Sequence, residues 1–384
     1  MSASLIIVCD WIPPEFGAVG QYQMARAREA AASGRRVTLI GLGQVQNRSH
    51  EQLGEGELTI LRVARKAPDK KSLISRGLWA LSVNFSLLRA LAEATRGDPR
   101  CEIKVTGSPP FLSYLVLLWV RFRRRRVIYR ITDFYPETVF AAGKALWLRP
   151  LTPLFHGLRR RADCIEALSD CQKRRLAESG VPSDRITVVR DGSPVTFSAE
   201  TLPAGRPFAA DDIVLLYSGN LGVAHDWRTF AEAYRRHVHE GPNRVRLWLN
   251  AVGAGVAPLR FFCDKHGLPV HVSPPSSLEA LAGVLRAPDA HLVLLGDPFW
   301  GYVIPSKIYG CIESGRPCLY VGPQESDIHM MLAADPRHSS LRNGEVDGVV
   351  AALLRLKQEP TSANYQAEDT PRPNPSASQP TIPS

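Results

Sequence analysis

The chain is predicted to fold as two doubly wound α/β domains that face one cleft. Three observations lead there. Short apolar runs of the kind buried parallel strands need alternate with helical segments almost throughout. A Pro-, Gly- and Ala-rich stretch at residues 196–210 interrupts the alternation once. A length of 384 residues exceeds what one ordinary core organises. The expected divisions are a first domain at 1–195, a linker at 196–210, a second domain at 211–358, and a tail at 359–384. That tail is dense in Pro, Ser, Thr and Asn and should be disordered.

In the first half, Leu5 to Cys9 reads as a buried strand, and the loop holding Gly17 and Gly20 leads into a helix from Gln21 to Ser33. Val37 to Gly41 is the next strand, which completes one strand–helix–strand unit. A strand at Leu58 to Val63, a long helix at Leu73 to Ala94 and a strand at Ile103 to Thr106 follow. An apolar helix, Phe111 to Val120, ends in Arg121 and Arg123 to Arg126. Val127 to Ile131, Cys164 to Leu168 and Ile186 to Val189 are further strands, before a break at Asp191 to Pro194. The second series starts with the strand Ile213 to Gly219 and the helix Trp227 to His239. It continues through strands at Val245 to Asn250 and Val270 to Val272, a helix at Leu278 to Leu285, and a strand at His291 to Leu295. In such sheets ligands sit beyond the carboxyl ends of the strands, so the loops after them hold the candidate site.

Hydrophobic residues at 45% and charged residues at 22% exclude a disordered or coiled-coil chain. The seven cysteines are scattered singly, with no C-x-x-C pair, which fits reduced buried thiols and speaks against a zinc site. Met1 to Ser4 lacks the basic start of a signal peptide, and no apolar run reaches the roughly 18 residues a spanning helix needs. A cytoplasmic location is expected. Residues 1–200 carry 31 Lys+Arg against 19 Asp+Glu, whereas the remainder is slightly acidic, so the basic excess belongs to the first half. Such a half suits an anionic partner. The segments Trp119 to Arg126 and Trp147 to Arg161 mix Trp, Leu and Phe with arginines, as a membrane interface requires. A solvated basic end on a core helix is the plain alternative. Nucleic acid fits less well, because no aromatic sheet motif or helix-turn-helix pattern accompanies the charge.

The most informative stretch is Val303-Ile304-Pro305-Ser306-Lys307-Ile308-Tyr309-Gly310, followed by Cys311-Ile312-Glu313-Ser314-Gly315-Arg316-Pro317. Ser306 is expected to cap a helix, with Lys307 in its first turn, Gly315 at its end and Pro317 blocking its continuation. A cation beside a helix N-terminus offers a place for a diphosphate. The whole run resembles the donor-site segment of family-four glycosyltransferases, especially bacterial enzymes of envelope-polysaccharide assembly.

The resemblance implies the GT-B architecture, with two Rossmann-like domains around a cleft. It implies transfer of a sugar from a nucleotide diphosphate donor to a lipid-linked or polysaccharide acceptor, with retention of configuration. It also implies no cofactor and no metal, since helix dipole and cations serve the leaving diphosphate. Gly17 and Gly20 resemble the family's glycine loop, and Ser218-Gly219-Asn220 its second-domain turn. Here Asn220 stands for the usual arginine and His225 for the usual lysine. Gly310 stands for the ribose-binding glutamate, which leaves Glu313, one helical turn on, to reach the ribose. The donor-side set is therefore Gly17, Gly20, Gly219, Asn220, His225, Ser306, Lys307 and Glu313. On the acceptor side, Asp133-Phe134-Tyr135-Pro136-Glu137 resembles the family's Asp-x-x-Pro-Glu segment. Asp133 is the expected base or positioning carboxylate, with Glu137 beside it, although an aspartate after a strand also caps turns. The implied partners are a nucleotide sugar, a glycan or lipid-linked acceptor, and the anionic inner face of the membrane. Two other functions use the same architecture: a nucleotide-sugar epimerase, and a non-catalytic partner subunit docked at the membrane.

Overall fold

The computed structural model describes residues 3–15, 17–66, 73–121, 123 and 125–357. The expected tail at 359–384 lies outside the described residues. Two sheets organise the chain, as the alternation predicts. The first holds β1 (Leu5–Trp11), β2 (Arg36–Gly43), β3 (Asn47–Leu53), β4 (Gly56–Ala64), β5 (Glu102–Thr106), β6 (Val127–Ile131), β7 (Cys164–Ala167) and β8 (Ile186–Val188), in the order β3-β4-β2-β1-β5-β6-β7-β8. All pairs are parallel except β3 with β4. Its helices are α1 (Ala18–Ala32), α2 (Leu73–Ala94), α3 (Leu112–Val120), α4 (Glu137–Ala141), α5 (Thr152–Arg159) and α6 (Asp170–Glu178). The second sheet is wholly parallel and contains β9 (Ile213–Asn220), β10 (Val245–Val252), β11 (Val270–Ser273), β12 (Ala290–Leu294), β13 (Cys318–Val321) and β14 (Ser339–Leu341). Its order is β11-β10-β9-β12-β13-β14, and α7 (Arg228–His239), α8 (Val256–Lys265), α9 (Leu278–Arg286), α10 (Lys307–Glu313), α11 (Asp327–Leu332) and α12 (Val346–Arg355) accompany it.

The continuous apolar runs have a direct cause: both faces of each sheet are covered. On β1, Leu5, Ile7 and Cys9 pack with Met24, Ala27 and Ala31 of α1. Ile6 and Val8 point the other way, to Val83, Leu87 and Leu91 of α2. β9 repeats the scheme, with Ile213, Leu215 and Tyr217 facing α7 and α12 and with Val214 and Leu216 facing α9. β3 was not expected. Its sequence is polar because it is an edge strand with half its residues in solvent, joined to β4 through Gly54 at φ 61°. α8 and α12 are further elements beyond the expected set. The stretch 196–210 is packed against the second sheet, where Phe197, Ala204 and Phe208 join Trp248, Val284 and Leu285.

The two halves touch where α6 meets α11. The Asp327 carboxylate accepts from the backbone N–H groups of Asp170 and Cys171, both at 2.9 Å, and so caps a helix of the other half. Arg190 pairs with both Asp170 and Asp327. The apolar segment Phe111 to Val120 is α3, nine residues long and largely buried, with Phe111 at φ 68° just before it. Among the described residues no helix is long and apolar enough to cross a membrane.

Candidate active site

Strand order reverses between β1 and β5 in the first sheet and between β9 and β12 in the second. Open α/β sheets bind ligands beyond the strand ends at such points. A cavity of about 330 Å³ lies there, walled from both halves by Thr132 and Asp133 after β6, Gly219 and Asn220 at the end of β9, and the 303–307 segment.

On the second-half side, Lys307 is the central group. Its Nζ is buried, has no hydrogen-bond partner among the described residues and lies 3.3 Å from the centre of the Tyr217 ring. Burial pushes its ammonium down to about 7. Gly219 holds φ 106°, a conformation that favours glycine, and a side chain built there would lie 4.0 Å from Lys307 Nζ. The turn is locked by the Tyr217 hydroxyl, which donates to the Asn220 carbonyl at 2.9 Å. His225 lines the cavity from the same turn. Its Nδ1 accepts from the Gly222 N–H at 3.1 Å, and burial, with the charge of Lys307, lowers it to about 3. The ring is therefore neutral, with Nε2–H as its remaining donor.

Three donor-side expectations need correction. Ser306 lines the cavity but does not cap α10, because its backbone is already helical (φ −57°, ψ −20°) and its side chain makes no cap bond. Its hydroxyl sits by Tyr22 instead. α10 is only seven residues long, so its dipole adds little to the charge of Lys307. Glu313 is exposed and does not line the cavity. Gly310 does line it, but a Cβ there would lie 3.1 Å from Leu285 Cδ1, 3.5 Å from Ser193 Oγ and 3.6 Å from Pro194 Cδ.

On the first-half side, Asp133 stands at the cavity wall. Burial, and then the nearby charge of Asp10, raises its carboxyl to about 6. A carboxylate so poised is suited to accept a proton near neutrality. Asp10 ends the buried part of β1 and is itself raised to about 6 by burial, against the bond its Oδ2 accepts from Ser108 Oγ at 2.6 Å. Sequence reasoning missed Asp10. Its signal was the first carboxylate after an unbroken apolar run, at a strand end. Arg130 also escaped notice. Fully buried, it reaches Glu166 Oε2 at 3.1 Å and Asp191 Oδ1 at 2.6 Å, and it lines the same cavity. Asn250, likewise missed, holds the 273–276 loop against the cavity through Ser273, Pro274 and Ser276.

Glu137 is not a neighbour of Asp133 in this cavity. Arg159 Nη1 and Nη2 each donate to its carboxylate at 3.0 Å, and His156 Nε2 lies 3.1 Å away. Burial acts to raise this carboxyl, but those bonds outweigh it and hold it below its usual range. Glu137 faces a second cavity, as a structural ion pair. Arg159 is correspondingly buried and leaves the set of surface arginines.

The two glycines of the first loop also serve packing. A Cβ on Gly20 would lie 1.8 Å from the Trp11 carbonyl oxygen, and one on Gly17 2.8 Å from the same atom. They let α1 approach the end of β1, and neither lines the cavity. Gly20→Ala is expected to destabilise the fold by about 3 kcal/mol through overpacking, read as a lower urea midpoint. An unchanged midpoint would show that α1 is not seated this closely.

Two largely parallel sheets with a cavity lined from both halves form the GT-B architecture. Residues 17–192 match the glycosyl transferase 4-like domain. The chain is a glycosyltransferase whose first half is similar to the glycosyl transferase 4-like domain. Among curated proteins it is 22% identical over 395 residues to WcaI of Escherichia coli (strain K12), named as a colanic acid biosynthesis glycosyl transferase, with 93% of each chain covered. Among solved structures it resembles the α,α-trehalose 6-phosphate synthase of Burkholderia multivorans, at TM-score 0.64 and 12% identity over 94% of this chain and 90% of that one. It also resembles Anabaena Alr3699/HepE, solved with UDP and glucose, at TM-score 0.60 and 12% identity over 92% and 89%. These structures share the fold.

Proposed function

We propose that the protein moves a sugar from a nucleoside diphosphate donor to a lipid-linked or polysaccharide acceptor of the cell envelope, with retention of configuration. The observation that carries this is the placement of Lys307 and Asp133 on opposite walls of one cavity. Lys307, with the neutral His225 as a second donor, would hold the diphosphate and stabilise it as the bond to the anomeric carbon breaks. Asp133 would orient the acceptor hydroxyl and take its proton as the new glycosidic bond forms. Arg130 and Asn250 hold the walls in place. The similarity to a protein named for colanic acid biosynthesis supports an envelope glycan as product.

The purified protein is to be incubated with UDP-, GDP-, TDP- and ADP-sugars, and slow release of free sugar followed. One donor should be hydrolysed, and the matching nucleoside diphosphate should raise the melting temperature. Release of a 2-epimeric sugar would point to an epimerase. Failure of every donor and every diphosphate would overturn the transferase reading.

The membrane partner belongs to the same proposal. α2, α3 and α5 pack side by side and leave Leu78, Leu81, Phe85, Leu118 and Leu154 exposed, while Trp147, 78% exposed, and Leu151 lie just before α5. Arg123, Arg160 and Arg161 are exposed in the same half. Each arginine near an anionic surface contributes on the order of 1 kcal/mol. Sedimentation with anionic vesicles should be salt-sensitive and should fall in Arg160→Gln/Arg161→Gln, with little binding to neutral vesicles. Indifference to both salt and substitution would defeat electrostatic docking.

A further inference from the structure

The first-half wall of the reaction cavity carries buried polar atoms that the mechanism above leaves unused. Gln23 of α1 is only 1% exposed and lines the cavity. Its neighbours in that helix, Met24, Ala27 and Ala31, are core residues, and its Oε1 has no hydrogen-bond partner among the described residues. Thr132, directly after β6, has a buried Oγ1 in the same condition. So does Arg130 Nε, because the Nη atoms of that guanidinium are spent on Glu166, Asp191 and the Val189 carbonyl. All three side chains line the cavity that Lys307 and Asp133 also line. Buried polar groups are ordinarily hydrogen-bonded, so three such atoms on one wall mark a place fitted to a polar ligand.

We propose that Gln23, Thr132 and Arg130 select the sugar being transferred by binding its hydroxyls, and that this sugar is a neutral hexose; the inference rests on the transferase reading above. The diphosphate has its own cation in Lys307, which belongs to the other half. What the donor extends toward the first half is therefore its sugar, whose anomeric carbon must come within reach of the hydroxyl held by Asp133. A sugar hydroxyl both donates and accepts. An amide and a hydroxyl side chain meet both needs, and the Arg130 Nε–H meets a lone pair.

Charge decides against an acidic sugar. The charge of Asp10 already raises the Asp133 carboxyl, and a uronic acid here would set a third carboxylate beside them. Arg130 offers little to offset it, since Glu166 and Asp191 both pair with its guanidinium. Hydroxyls add no such charge.

The test measures binding to the full chain by titration calorimetry, with no turnover required. For the base that binds best, Gln23→Leu should weaken the nucleotide hexose by about tenfold, the worth of one buried hydrogen bond, and leave the nucleoside diphosphate unchanged. Thr132→Val should weaken the same ligand by about threefold. A panel of monodeoxy hexose donors then locates the contact. The analogue lacking the hydroxyl that Gln23 binds should bind the wild type and Gln23→Leu alike. Equal weakening of nucleotide sugar and nucleoside diphosphate would give Gln23 a structural role, and no weakening of either would remove it from the site; both overturn the proposal. Full sensitivity to Gln23→Leu in every deoxy analogue overturns it as well. Tighter binding of the matching nucleotide uronate than of the neutral hexose would overturn the neutral-sugar assignment. Donor hydrolysis, followed separately, reports on the transferase reading alone. A protein that hydrolyses no donor yet discriminates the sugar through Gln23 would keep the pocket and lose that reading.

Discussion

Asp133→Asn is expected to lower glycosyl transfer by about a hundredfold or more, the loss typical of a removed general base, while nucleoside diphosphate affinity hardly moves. The substitution keeps size and shape and removes the charge. Wild-type transfer should rise with pH through about 6 and then level off, because the raised carboxyl must lose its proton before it can accept one. The coupling to Asp10 means that the pair, not one residue, sets this limb. Asp10→Asn should therefore move the limb to lower pH. Steady-state rates from pH 5 to 8, with donor binding measured separately, decide the matter. An equal collapse of donor affinity, or an unfolded protein, would return Asp133 to a structural role.

Lys307→Ala should weaken nucleoside diphosphate binding by about tenfold or more, since a charge-assisted contact of this kind is worth roughly 1.5–3 kcal/mol. The fold should persist, because among the described residues the Nζ has no hydrogen-bond partner to leave behind. A pH signature separates this residue from other cations. Buried and lowered to about 7, the empty-site lysine is largely neutral at pH 8 and must take up a proton to meet a diphosphate. Wild-type affinity should therefore fall as pH rises above 7 more steeply than that of the alanine variant. Titration calorimetry in two buffers of different ionisation enthalpy would report the proton uptake. Parallel pH profiles for the two proteins would remove Lys307 from the site.

Much of the fold was legible because burial on both faces of a parallel sheet writes itself as apolar runs. β6 and α2 have the boundaries their residues suggest, Val127 to Ile131 and Leu73 to Ala94. β3 was illegible for the opposite reason: an edge strand of Asn, Arg, Ser, His, Glu and Gln carries no such signal. At the site, the sequence marked Gly219 and Asp133 at strand ends and Lys307 at a helix start, and the structure brings all three to one cavity. It misplaced Glu137 and Arg159 because a motif shows that two residues matter, not that they are spent on each other. Gly20 stood in the expected donor-side set, and its missing side chain is room for a carbonyl of its own chain. Such close contacts depend on tertiary approach, which no local pattern records.

Gly310 also ties the acidity of the cavity wall to the packing behind it. A Cβ there would press on Leu285 Cδ1 of α9 at 3.1 Å, while Ser193 Oγ and Pro194 Cδ stand at ordinary contact distances of 3.5 and 3.6 Å. A glutamate at 310 would therefore need the buried Leu285 side chain to shift before its carboxylate could reach the cavity. Charge at this point of the wall is thus coupled to the seating of α9.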